Sequence, residues 1–242
     1  MNLIIDVGNS QIKVAVFKGD ELLSEAVMQA DTLLRQVQNF LKKFNSIGHI
    51  MVSSVGHLPI SVIKSLEVYA PVIMLSNTLR LPFKNDYGTP ETLGVDRIAL
   101  IASAYTIYPN KNCLVIDAGS CITYDFIDQE GHYKGGAIAP GLKMRFKAMH
   151  TFTAGLPLVD SFELRDFIGT NTQECMISGV VNGSINEIDA VIGQYQNKFK
   201  DLTVILTGGD SHFLSKRLKS SIFAHPNLLL RGINCILELN KH

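Results

Sequence analysis

Two acidic residues stand at the ends of apolar runs, and a glycine and a hydroxyl follow each of them. Leu3-Ile4-Ile5 leads into Asp6-Val7-Gly8-Asn9-Ser10, and Leu114-Val115-Ile116 leads into Asp117-Ala118-Gly119-Ser120-Cys121. A glycine turn after a strand exposes backbone N–H groups that a phosphate can approach closely. Asn9, Ser10 and Ser120 add side-chain donors. A carboxylate at the same strand end would repel a bare phosphate, so its presence makes sense with Mg²⁺ or an ordered water between the two. Asp6 therefore suits a metal-orienting role, and Lys13 a charge-neutralising one. A third stretch, Val204-Ile205-Leu206-Thr207-Gly208-Gly209-Asp210, has the same strand-then-glycine form.

The stretch Tyr87-Gly88-Thr89-Pro90-Glu91-Thr92-Leu93-Gly94-Val95-Asp96-Arg97 carries a second kind of chemistry. A carboxylate at Asp96 could accept a proton from a substrate hydroxyl. Arg97 beside it could hold an anionic group or a transferring phosphoryl. Taken alone, each piece is also what an ordinary β-turn or a capped helix start looks like. The repetition of the acid-Gly-hydroxyl turn, together with the later Thr-Gly-Gly turn, is what lifts them above that. The chain has no G-x-x-x-x-G-K-[ST], no G-x-G-x-x-G, no G-x-S-x-G and no H-E-x-x-H. Its four cysteines, Cys113, Cys121, Cys175 and Cys235, form no C-x-x-C pair and read as buried thiols in a reduced compartment.

The elements that must carry these residues can be traced along the chain. Strands are expected over 2–6, 12–17 and 22–27, then a helix over 32–44 with Asp31 as its cap, a strand over 47–52, a helix over 59–69 and a strand over 72–75. Residues 76–92 are rich in turn formers and read as a long functional loop. A helix over 94–108 closes the first half. The pattern restarts at Cys113, with strands over 114–116 and 122–126 and a third near 136–139. Helices follow from about Leu142 and over 172–196, the second capped by Asn171. A strand over 203–206, a helix over 211–218, a short strand over Leu228-Leu229-Leu230 and a terminal helix complete the reading. The whole suggests a duplicated nucleotide-binding scaffold, 1–110 and 111–242.

Composition supports a large core: 46% of the 242 residues are hydrophobic and 18% are charged. Lys+Arg and Asp+Glu both number 22, so no net basic field draws the chain to nucleic acid. Asp6 interrupts the first apolar run, and no uncharged apolar stretch reaches membrane-spanning length. A cytoplasmic protein with no membrane partner is expected.

Read together and in order, Asp6-x-Gly8-Asn9-Ser10, Gly94-Val95-Asp96-Arg97, Asp117-Ala118-Gly119-Ser120, Gly135-Gly136-x-Ile138-x-Pro140-Gly141 and Thr207-Gly208-Gly209 resemble type III pantothenate kinase, of the acetate and sugar kinase/Hsp70/actin superfamily. The resemblance implies an α/β fold of two ribonuclease-H-like (actin-like) halves, each a mixed sheet flanked by helices, with ATP in the cleft. It implies phosphorylation of the pantothenate hydroxyl, the first step of coenzyme A biosynthesis. Asp6, Val7, Gly8, Asn9, Ser10, Gln11, Ile12 and Lys13 would form the first phosphate loop, with Asp6 near Mg²⁺. Ser120 would touch ATP. Asp117 would hold a monovalent cation, potassium or ammonium. Asp96 would be the general base. Tyr87, Gly94, Val95, Asp96, Arg97 and Thr172 would contact pantothenate. A homodimer is implied, with the 172–196 helix as a candidate dimer element. The family's usual Thr after the second Asp-Ala-Gly is Ser120 here, and its Gly-Lys-Asn-Thr pattern reads Gly169-Thr170-Asn171-Thr172, which removes one positive charge. The competing readings are another small-molecule kinase of the superfamily and a non-catalytic nucleotide-binding regulator.

Overall fold

The run Asn2–Val7 is buried at all of its positions, as an apolar strand inside a sheet covered on both faces must be. It is the first strand, β1, of a computed structural model that describes residues 1–8, 11–29, 33–44, 46–54, 59–160, 163 and 166–241. The chain divides into two units. The first comprises Met1–Asn110, Glu130–Lys134 and Asn227–His242, and the second Lys111–Gln129 and Gly135–Pro226.

In the first unit, β1 pairs antiparallel with β2 (Ile12–Lys18), which pairs antiparallel with β3 (Glu21–Met28). On its other side β1 pairs parallel with β4 (His49–Ser54), which pairs parallel with β5 (Val72–Met74). The parallel connections pass through helices α1 (Leu33–Lys43) and α2 (Ile60–Glu67). Helix α1 buries Leu33, Val37 and Leu41, a spacing of four that puts one apolar stripe on the sheet. These join Leu3, Ile5, Val14, Val16, Ile50 and Val52 in one core. Helix α3 (Val95–Ile107) is buried without a break from Arg97 to Ala104, and packs against the C-terminal helix α7 (Leu228–Leu239).

The second unit repeats this plan. Strand β7 (Cys113–Ala118) pairs antiparallel with β8 (Cys121–Ile127) and parallel with β10 (Thr203–Thr207), which pairs parallel with the two-residue β11 (Phe223–Ala224). Strand β9 (His132–Pro140) neighbours β8. The order β9-β8-β7-β10-β11 thus matches β3-β2-β1-β4-β5. Helices α4 (Leu142–Phe152) and α5 (Thr172–Lys198) cover this sheet around Phe146, Val181, Ile188 and Ile192, and the short α6 (Ser211–Ser215) follows β10. No helix among the described residues is long and apolar enough to cross a membrane.

Three expectations need correction. Leu228-Leu229-Leu230 is the first turn of α7, not a strand. A three-residue apolar run carries no period by itself, and the decisive signal is the buried set Leu228, Ile233, Ile236 and Leu237 that continues beyond it at helical spacing. The cysteines are not uniformly buried: Cys113 is, Cys121 and Cys235 are half-buried, and Cys175 is exposed. The 76–92 loop holds local structure of its own. Its β6 (Lys84–Asn85) pairs with His132 and Tyr133 at the start of β9, and Pro90–Thr92 form a 3₁₀ turn. The Asn77 side chain also donates to the Pro90 carbonyl at 2.9 Å. Asp31 and Thr32, the expected start of α1, lie outside the described residues, as do Asn9 and Ser10.

Candidate active site

Sheet register sets the surroundings of Asp6. It stands one residue before the end of β1, opposite Lys13 on β2 and Ser53 on β4. Only 6% of Asp6 is exposed. Burial, the largest influence, pushes its carboxyl up to about 6, against the pull of Ser53 and Lys13, and the charge of Asp96 adds to the rise. Asp6 and Asp96 therefore share one electrostatic environment within the first unit, although 90 positions of sequence keep them apart. The turn after β1 is closed by Gly8 N–H donating to the Gln11 carbonyl at 3.1 Å. Val7 and Ile12 put their side chains into the core, so only their backbone is free to serve a ligand.

Asp96 sits in the first turn of α3, where Gly94 is the cap, and its Oδ1 accepts from the Arg97 N–H at 2.9 Å. Arg97 is buried, with its guanidinium 5.5 Å from the centre of the Tyr87 ring, a cation–π distance. Tyr87 stacks in turn on the fully buried Tyr133, with ring centres 6.0 Å apart. The next residue back, Asp86, takes Lys134 at 2.9 Å and His132 at 3.1 Å, and Lys134 holds its carboxyl below the usual range. Tyr87, Val95, Asp96 and Arg97 are thus gathered at one corner of the first unit.

In the second unit Asp117 has the position in β7 that Asp6 has in β1. Its register partners are Thr123 on β8 and Thr207 on β10. The Thr123 hydroxyl is buried and has no hydrogen-bond partner among the described residues. The Gly119 N–H donates to the Cys121 carbonyl at 2.9 Å, which makes a tight turn through Ser120. Gly208 has φ +94°, and a Cβ there would lie 2.4 Å from both the Ala118 carbonyl oxygen and Asp117 Oδ1. Only glycine fits that position. Asp210 N–H donates to the Ala118 carbonyl at 2.9 Å, and burial raises the Asp210 carboxyl while Lys143 lowers it. Thr172 is exposed at the head of α5, where the Asn171 side chain accepts from Glu174 N–H at 3.0 Å. The Thr170 hydroxyl donates to Glu174 at 2.6 Å.

Sequence reasoning missed Ser53, Thr123 and Thr207 as neighbours of the two acids. The signal that could have found them is register: once each strand end is aligned on its acid, the polar residue across the ladder is determined.

The comparisons bear on what this geometry serves. Residues 2–194 match the family model described as type III pantothenate kinase. A Christiangramia forsetii protein named type III pantothenate kinase is 48% identical over 241 residues, covering 100% of this chain and 99% of its own. A Bacteroides fragilis protein of the same name is 42% identical over 242 residues, covering 100% and 99%. Among solved structures, a Baf family protein from Campylobacter jejuni superposes with a TM-score of 0.65 at 23% identity, over 99% of this chain and 98% of that one. A ROK hexokinase from Thermus thermophilus reaches 0.50 at 13% identity, over 99% of each. These two establish the fold, that of the sugar kinase and actin-like proteins. The matched model and the relatives, taken with an acid-Gly turn in each unit and an Asp-Arg pair on α3, establish that this chain belongs to the type III pantothenate kinase family.

Proposed function

We propose that the chain transfers the γ-phosphoryl of ATP to the hydroxyl of pantothenate, opening coenzyme A biosynthesis, with Asp96 as the base that takes the hydroxyl proton. The kinase activity and both substrates follow from the family. The observation that carries the residue assignment is that Asp6 faces Lys13 across the β1–β2 ladder while Asp96 opens α3 of the same unit. Phosphoryl transfer asks for positioning and charge neutralisation more than covalent chemistry. Lys13 and the backbone of residues 6–13 would neutralise and orient the triphosphate, and Ser120, on the second unit, would be an ATP contact by the family resemblance. Arg97, pinned by Tyr87, together with Gly94 and Val95, would orient pantothenate so that its hydroxyl reaches Asp96. Thr172, on the second unit, would be a further pantothenate contact by the family resemblance alone.

The donors present suit the ions expected. Mg²⁺ is bound by one or two carboxylates plus substrate phosphates, and Asp6 fits as one such carboxylate, directly or through water. Held there, the ion would supply charge neutralisation at the triphosphate. Among the described residues no cluster of three metal-binding side chains competes for it. A monovalent cation would be held by Asp117, and the Thr123 hydroxyl beside it, without a partner among the described residues, supports an oxygen-lined site. A homodimer is part of the proposal. Its support is the exposed apolar side chains of Ile138, Met144, Phe152, Leu158, Phe167 and Ile168, all in the second unit, more than scattered exposure needs. We read the halves divided near residue 110 as the carriers of the two phosphate loops, and the cytoplasm as the site of action.

The test is ADP release from Mg-ATP with and without pantothenate, in potassium and then in sodium. Pantothenate-dependent release that is faster in potassium is expected. Release indifferent to pantothenate in both buffers would overturn the acceptor, and equal rates in both salts would remove the cation.

A further inference from the structure

Glu187, half-buried on α5, takes bonds from two other elements of the second unit. The Tyr124 hydroxyl on β8 donates to its Oε1 at 3.2 Å. The Arg145 guanidinium on α4 donates to its Oε2 at 2.7 Å. The same guanidinium reaches backwards, donating through Nε to the Pro140 carbonyl at 2.8 Å. Pro140 ends β9, and Gly141 begins the turn into α4. Gly141 N–H donates to the Ser120 carbonyl at 3.1 Å. A Cβ on Gly141 would lie 2.2 Å from the Gly119 carbonyl oxygen and 2.6 Å from that of Ser120. The Pro140–Gly141 corner and the Gly119–Ser120 turn therefore lie backbone to backbone.

We propose that Arg145 is a positioning residue for the second phosphate turn: by tying the Pro140 carbonyl to Glu187, it holds the β9–α4 corner and, through it, the backbone of Gly119 and Ser120. The side chains of Arg145 and Glu187 are 22% and 33% exposed, so water screens the pair only in part. Its use is directional. A planar guanidinium can hold a carbonyl and a carboxylate at once in a fixed geometry, which an ammonium cannot do. Tyr124, whose hydroxyl burial and the Glu187 charge keep protonated, fixes the other oxygen of Glu187. The anchor thus spans β8, α4 and α5.

This inference rests on reading Ser120 as an ATP contact, and the test separates the two. KM for ATP, KM for pantothenate, kcat and Tm are measured for S120A, R145A, R145K, E187Q and S120A/R145A. The expected result for R145A is a rise in KM for ATP of about tenfold with KM for pantothenate changed less than about twofold, because displacing a backbone ligand by a fraction of an ångström weakens binding at that ligand alone. R145K restores Tm but not KM for ATP, and E187Q lies between wild type and R145A. The S120A/R145A effect is smaller than the product of the two single effects, since both act through one turn. A lowered Tm with unchanged KM for ATP in R145A and E187Q makes the pair merely structural and overturns the proposal, as does a fully multiplicative double variant. If S120A itself leaves KM for ATP unchanged, the turn is no ATP contact and both readings fall. If S120A raises it while R145A and E187Q do not, only the Arg145 proposal falls.

Discussion

The two units share one strand plan but differ at the strand that carries the acid. In the first, Asp6 faces Lys13 across one ladder and Ser53 across the other. In the second, Asp117 faces Thr123 and Thr207. The connections differ too: β1 and β2 are separated by residues 8–11, whereas only Gly119 and Ser120 separate β7 and β8. A duplicated fold has placed a carboxylate at the same topological point twice, and the register partners have made the two points chemically different. One acid has a cation opposite it. The other is ringed by hydroxyls, with a side-chain-free residue, Gly208, lying close over it. Fold supplies position, and neighbours supply chemistry.

The largest effect should come from a residue with no counterpart in the second unit. Asp96→Asn should lower kcat by about 10³-fold, within the range of a lost general base, while Tm and ATP affinity stay near wild type. An unchanged kcat takes Asp96 out of the mechanism. Next, Lys13→Met should lower kcat/KM by about 10²-fold through lost charge neutralisation, whereas Thr123→Val, at the equivalent register point, should leave kcat/KM within about threefold at saturating potassium and weaken the potassium response instead. Equal losses in the two variants would mean that the two acids are chemically alike and the contrast is wrong.

Stability sharpens the same contrast. The folded chain holds the Asp6 proton more tightly than the unfolded chain does, because burial raises the carboxyl from 3.8 to about 6. Ionising it in the fold therefore costs stability as pH rises between those values, by about 3 kcal/mol once pH is above both. Asp6→Asn should be more stable than wild type at pH 8 by up to that amount, and the gain should vanish below pH 3.8. Urea denaturation at the two pH values measures this. A variant no more stable at pH 8 would show that Asp6 is not strained by burial. The smallest effect expected is from Asp117→Ala, which should raise the potassium concentration for half-maximal rate by about fivefold and leave the rate in sodium nearly unchanged. An unaltered potassium titration would reassign the cation.

Much of this was legible in the residue order. The repeated acid-Gly-hydroxyl turn located both strand ends, and continuous apolar runs such as Leu3-Ile4-Ile5 marked buried central strands. The Asn171 cap located the start of the long helix. What stayed hidden depends on pairing at long range. Nothing local says that Ser53 will lie beside Asp6 or that Asp96 will add to its charge environment, because sheet register and helix docking determine both. Leu228-Leu229-Leu230 hides its state for a related reason: its helix is held by burial against α3, over a hundred positions away. The two-residue β11 has no signal of its own, since two exposed residues hold no period.

The membership of α7 has a consequence for how the molecule is made. The first unit contains β1, yet Asn2 on that strand hydrogen-bonds Asn234 on α7 at 2.7 Å, a contact between residues 232 positions apart. The second unit lies within the stretch between them, interrupted only at 130–134. On a ribosome the second unit can close its core as it emerges, while the first, made earlier and carrying the catalytic candidates, waits with α3 uncovered for the last helix. The part of the molecule that starts first finishes last, and the buried face of α3 is the surface a chaperone would meet in the interval.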